Sequence, residues 1–199
     1  GLDDVRVRMI YRTIAFCHAL RHQLRDTRGP DDLQPLLRPA EWEAACKASN
    51  PSDYLMLQMG HDLADCVQQG RIDSILTAQI DNTVSAMVAA GASCERIRST
   101  PIPFSYSLLL HRTAYLYCFL LPFGLVDSLG FMTPFVVAIV AYTFFGLDAL
   151  GDEIEEPFGE DANDLPLSAM CRAIEISLRE SVQDEHVPPP MQADDFLLN

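Results

Sequence analysis

The chain has 199 residues, enough for one sizeable domain to bury a core without disulfides or metals. Acidic residues outnumber basic ones by 28 to 14, and a formal net charge of -14 leaves no basic face for neutralising phosphates, which sets nucleic-acid binding aside as a main role. Six cysteines, at 17, 46, 66, 94, 118 and 171, form no CxxC pair and fall in apolar-periodic segments, so they are expected to be small buried hydrophobes in a reducing compartment.

From Asp3 to Thr27 the apolar residues Val5, Met9, Ile10, Ile14, Cys17, Leu20 and Leu24 recur near helical spacing, with Arg6, Arg8, Arg12, Arg21, Arg25 and Arg28 filling the rest. The pattern predicts a basic amphipathic helix that ends at Gly29-Pro30. A proline-marked connection leads to a short helix around Glu41 to Ala48, and Asn50-Pro51-Ser52 breaks the chain again. A helical pattern resumes from Ser52 to Gln69, and Gly70 separates it from a second run in which Ile72, Ile75, Leu76, Ile80, Val84, Met87, Val88 and Gly91 share one face.

The character changes at "TPIPF", Thr100 to Phe104. The run Ser128 to Leu147, "SLGFMTPFVVAIVAYTFFGL", has no formal charge over a length that would let a helix cross the hydrocarbon core. Ser105 to Val126 is apolar and aromatic but contains His111 and Arg112, which in a membrane helix face protein, water or the headgroups. Only Asp127 is charged between the two runs, whereas Arg96 and Arg98 precede them, so the positive-inside rule places both outer ends in the cytoplasm. A membrane hairpin is the expectation. Pro122, Pro134 and a near-neutral mean hydropathy leave open the alternative of buried helices in a soluble or peripheral interaction module.

Beyond the hairpin, "DEIEEPFGEDANDLPL" (Asp152 to Leu167) concentrates acids around Pro157-Phe158-Gly159. Asp164 is expected to cap a helix running to about Val182, and "HVPPPMQADDFLLN" follows as a tail or strap without helical pattern. Cys17, His18 and His22, and again His61, Asp62, Asp65 and Cys66, have ligand chemistry without zinc spacing: adjacent helical residues point about a hundred degrees apart. No nucleophile–base order or glycine-rich phosphate loop stands out, so no enzymatic role is expected. The acidic loop lacks the ligand order of an EF-hand.

Several strings, "CERIRSTPIPFSYSLLLHRTAYLYCFLLPFGL" (Cys94 to Leu125), "TPFVVAIVAYTFFGLDALGDEIEEPFGEDANDLPL" (Thr133 to Leu167) and "MCRAIEISL" (Met170 to Leu178), closely resemble the bacterial branch of the bestrophin family. The resemblance runs to about residue 182. It implies an all-α membrane protein: a cytosolic helical region over 1–100, a transmembrane helical hairpin over 101–150, an acidic loop and cytosolic helix over 151–182, and a tail over 183–199. It further implies a homopentameric subunit of an ion channel in the bacterial inner membrane, with inorganic ions and the lipid bilayer as partners. Animal members conduct chloride and open with calcium, whereas bacterial members can favour cations, so ion preference is not transferred. Aligned from Ile102-Pro103, the family's cytosolic pore constriction falls on Ile75, where a ring of isoleucines would act by dewetting. The family's calcium clasp falls on Asp161 and Asp164, although Ala162 and Asn163 stand where further acids are expected. No other cofactor is implied. The first two membrane helices of the family have no counterpart, so the chain is expected to be the C-terminal two-thirds of a subunit.

Overall fold

The computed structural model describes residues 2–27, 30–100 and 103–193. Eight α-helices and no strand occur among them: α1 (Val5–Leu24), α2 (Pro30–Leu33), α3 (Pro39–Lys47), α4 (Pro51–Gln68), α5 (Ser74–Ser99), α6 (Phe104–Leu129), α7 (Thr133–Glu155) and α8 (Leu167–Ser181). The chain divides into two compact units, Gly1–Ile97 with Leu165–Asn199, and Arg98–Asp164.

The first unit is built on α1, which packs chiefly on α4 and α8. Ile14, Ala15, Phe16 and Ala19 of α1 meet Leu36 and Leu37, Ala45 of α3, and Leu55, Met56 and Met59 of α4, with Val84 of α5 at the margin. Gly91 is the small residue where α5 passes α1, since a methyl group there would lie 3.3 Å from the Phe16 ring. Asp4 caps α1 by accepting from the Arg6 amide at 2.9 Å, and Asn50 caps α4 by accepting from the Asp53 amide at 3.1 Å with Pro51 in the first turn.

Three helices in this unit end in the same way. Asp26 (φ 51°), Gly70 (φ 65°) and Gln183 (φ 56°) adopt left-handed backbone after α1, α4 and α8. The next residue then donates its amide back across the last turn: Thr27 to His22 O at 2.9 Å, Arg71 to Cys66 O at 2.9 Å, and Asp184 to Arg179 O at 3.0 Å. This is why α1 stops at Leu24 and not at Gly29-Pro30: the short polar side chain of Asp26 tolerates the left-handed region and closes the helix earlier. Gly29 lies outside the described residues.

The second unit is a helical hairpin, α6 and α7 joined through a 3-10 turn at Gly130–Met132, followed by the acidic loop. Tyr115 packs on Phe145 with ring centroids 4.9 Å apart, and Tyr117 meets Phe144 edge-on at 5.5 Å. The charge-free run Ser128 to Leu147 is not one helix. Gly130 (φ 50°) breaks it near its start, so α7 begins at Thr133 and extends to Glu155, past the end of the charge-free run. Each helix is about 35–39 Å long at 1.5 Å per residue, sufficient for a hydrocarbon core of about 30 Å. The segment Phe104–Glu155 is apolar and long enough to cross a membrane, and almost none of it is buried: Phe131 and Tyr142 are each 82% exposed.

Two further expectations change. Cys46 is exposed, because it sits on the outer side of the short α3, while Cys171 is buried and the other four cysteines are half-buried. Asp164 does not cap α8: the helix starts at Leu167 behind Pro166, and the Asp164 carboxylate turns back into its own loop. The tail has no regular structure through residue 193, with residues 194–199 outside the described set.

Candidate functional site

Ile75 is the second residue of α5. Asp73 fixes this helix start by accepting from the Ile75 amide at 3.0 Å, while its carbonyl receives the Thr77 amide at 2.9 Å and hydroxyl at 2.8 Å. The isoleucine is 69% exposed and Leu76 beside it is exposed too, so Ile75 is not one more core position of the α5 face. Ile75 is thus a large apolar side chain left exposed at a helix start.

The acidic loop is organised by Asp164. Its Oδ2 accepts from the Asp161 amide at 2.8 Å, and the Asp164 amide donates to the Asp161 carbonyl at 3.0 Å. The same oxygen occupies the space a side chain at position 159 would need, which is why glycine stands there. Asn163 Nδ2 donates to Glu153 Oε2 at 2.7 Å, tying the loop back to α7. Among the described residues no three His, Cys, Asp or Glu side chains converge to hold a metal. A cation at Asp161 and Asp164 would therefore draw on these two carboxylates and on backbone carbonyls.

In the hairpin, His111 of α6 faces Asp148 of α7, Nε2 to Oδ2 at 2.9 Å. Its Nδ1 lies 2.7 Å from the Ser107 carbonyl, which can only accept, so Nδ1 carries a hydrogen. The contact to Asp148 is attractive only with a further proton between the two groups. The pair joins the helices within a largely apolar hairpin, where polar groups find their partners on neighbouring helices.

Two charged seams hold α1 in place. Arg12, expected on the polar face, is 2% exposed: it donates to Glu41 of α3, and through Nη1 to the Gln58 carbonyl (3.0 Å) and Asp62 (2.6 Å) of α4. Arg8 reaches the same Asp62 oxygen at 2.7 Å. Burial alone would raise the Asp62 pKa, but the hydrogen bond from Arg8 and the charge of Arg12 hold it below 3.8. On the other side, His18 contacts Glu175 of α8, which also accepts from Arg179 at 2.9 Å and lies 3.4 Å from Arg172. Arg179 stacks over the Tyr11 ring and pairs with Asp184 at 2.8 Å. The Tyr11 hydroxyl, first, then the His186 amide and Arg179 hold the Asp184 carboxyl down at about 2. The i, i+4 step from core Ile14 to His18 is the one sequence cue to this seam.

Residues 2–180 match the family model for the bacterial/fungal bestrophin protein. The chain belongs to the bestrophin family. It is 43% identical over 183 residues to a voltage-dependent anion channel-forming protein of Mesorhizobium japonicum, covering 92% of this chain and 58% of that protein. It is 40% identical over 193 residues to the voltage-dependent anion channel-forming protein of Escherichia coli, covering 96% of this chain and 64% of that protein. The crystal structure of a bacterial bestrophin homolog from Klebsiella pneumoniae superimposes with a TM-score of 0.86 at 39% identity, covering 92% of this chain and 68% of that one. The chain thus spans about three-fifths of the length of these sequence relatives and has their all-α bestrophin fold.

Proposed function

We propose that this chain is part of a subunit of a pentameric bestrophin-type ion channel that conducts ions passively across the bacterial inner membrane. The observation that carries the proposal is the hairpin Phe104–Glu155 in a bestrophin fold: its large apolar side chains face outward from the protein, which favours a lipid environment over the interior of a soluble bundle. In this reading the hairpin within 101–150 lies in the bilayer, and 1–100 and 151–182 are cytosolic, in line with Arg96 and Arg98 on the near flank. Channel-forming relatives are named for anions, so anion flux is the first to measure.

Ile75, exposed at the start of α5, is assigned to the cytosolic constriction. Full-length protein reconstituted in liposomes is expected to pass ions. Replacing Ile75 by Ala is expected to raise conductance, because a smaller apolar ring is easier to wet. Absence of flux in the wild type would overturn the channel reading, and unchanged currents in the variant would remove Ile75 from the constriction.

Calcium at Asp161 and Asp164 is a separate part of the proposal, supported by the loop's two carboxylates and its exposed turn. Calorimetric titration of the full-length protein with calcium tests it: heat lost on Asp161→Asn and Asp164→Asn supports the site, and no heat in the wild type dismisses it.

A further inference from the structure

We propose that His18 is an acid-sensitive latch between α1 and α8: the neutral imidazole holds α8 through Glu175, and acidification places a proton on Nδ1, where no described residue accepts it, and releases α8. The inference concerns the first unit alone and is independent of channel activity.

His18 is 4% exposed. Its Nε2 lies 3.3 Å from Glu175 Oε2, so with an ionised carboxylate opposite, Nε2 is the nitrogen that donates. Its Nδ1 is fully buried and has no hydrogen-bond partner among the described residues. The neutral ring with its proton on Nε2 therefore fits the seam. The doubly protonated ring does not, because a charged N–H would be buried without an acceptor.

The surrounding charges favour the same state. On α1 itself Arg21 opposes a second positive charge, and Arg21 is already paired with Asp32 of α2. On α8 the Glu175 carboxylate would welcome an imidazolium, but Arg179 and Arg172 already neutralise it. The neighbouring contact across the seam, Cys171 Sγ donating to the Cys17 carbonyl at 3.4 Å, is uncharged. Burial first, and Arg21 second, lower the His18 pKa below 6.5, against the pull of Glu175 and Asp32.

The sign follows. The unfolded or undocked chain takes up a proton on this histidine below pH 6.5, while the docked form does not until the pH falls to its lower value. The latch is fully closed above pH 6.5 and weakens between there and the docked value, by at most about tenfold per pH unit. Stability falls with acidity because the undocked state binds more protons.

Hydrogen exchange on the full-length protein reads this directly. Amides of Leu167–Ser181 are expected to lose protection, corrected for intrinsic exchange, between about pH 7.5 and about pH 5.5. His18→Gln keeps an N–H donor toward Glu175 and has no titrating proton, so its α8 protection should be flat over the same range. Wild-type protection that is independent of pH, or an equal decline in His18→Gln, overturns the latch. Nitrogen-15 NMR of histidine-labelled wild type is the second measurement, needed where the variant does not fold. A singly protonated His18 ring with hydrogen on Nε2 at about pH 7.5 supports the latch, and a doubly protonated ring overturns it.

Discussion

Arg12 is the residue whose loss the first unit should tolerate least. Its guanidinium is enclosed by α1, α3 and α4 and donates to Glu41, Gln58 O and Asp62. Replacing Arg12 by Met keeps the apolar stem and removes the charge. Asp62 would retain Arg8 at 2.7 Å and is not orphaned. Glu41 would be: it is buried, and its remaining cation, Arg38 at 3.8 Å, is half exposed and screened by water. Removing one partner of a buried pair costs about 3–5 kcal/mol, and the weak help from Arg38 places this case near about 3 kcal/mol.

For a domain of this size that corresponds to a fall of about 6–12 °C in apparent melting temperature, measurable on the detergent-solubilised full-length protein. Adding Glu41→Leu to Arg12→Met should recover most of the loss, because the buried charge disappears with its partner. Arg12→Lys should fall between, since an ammonium cannot reach α3 and α4 at once as the planar fork does. A single substitution costing under about 1 kcal/mol, or a double variant no better than the single one, would refute the argument that Glu41 is the unpaired group.

Further expectations concern the loop, the hairpin and the thiols. Gly159→Ala should displace Asp164 from the Asp161 amide and loosen residues 157–166, seen as faster proteolysis of that loop with the melting temperature nearly unchanged; an unaltered cleavage rate counts against Asp164 as its organiser. Asp148→Asn should preserve the α6–α7 contact, because its amide can donate to His111 Nε2, whereas Asp148→Leu should cost about 1 kcal/mol in a melt; equal losses would argue that donor matching is irrelevant. Native-state maleimide labelling should modify Cys46 first and spare Cys17, whose thiol burial pushes up to about 12, and Cys171, raised for the same reason; mass spectrometry showing Cys17 labelled as fast as Cys46 would refute this. Acid below about pH 4 should weaken the α1–α4 seam as Asp62 is protonated, since its lowered pKa gives stability that is lost as pH falls from 3.8, and Asp62→Asn should remove that part of the acid dependence.

What the sequence made legible was local. Apolar spacing located α1, α3 and α4 to within a few residues and the first part of α5, whose end at Ser99 lies well past the last patterned residue, because one face of each helix must be buried. Helix ends were less legible. Left-handed Asp26 leaves no mark in composition, whereas the glycine-proline pair three residues later is the stronger compositional stop signal. In the hairpin, charge counting was blind to the turn because "SLGFM" is as uncharged as the helices around it, and Gly130 was the only cue. The seams were illegible for a different reason: Arg12 and Glu41 are 29 residues apart and His18 and Glu175 are 157 apart, so their burial depends on how helices pack and not on any period within one helix.

The placement of these cations bears on the proposed conduction. Arg8, Arg12, Arg21 and Arg179 spend their charge on acids within the seams of α1, so the excess of acids, -14 over these 199 residues, is left largely to the outer surface. Such a surface repels approaching anions over about 8–10 Å at physiological salt and concentrates cations. Any anion preference must then come from groups at the conduction path, against the field of the surrounding chain. The measurable consequence is a salt dependence. Raising ionic strength should screen the repulsion, so the anion-to-cation permeability ratio of the reconstituted full-length protein should increase with salt. A ratio that stays constant, or falls, would mean that the acidic surface does not reach the permeating ions and that selectivity is set wholly within the path.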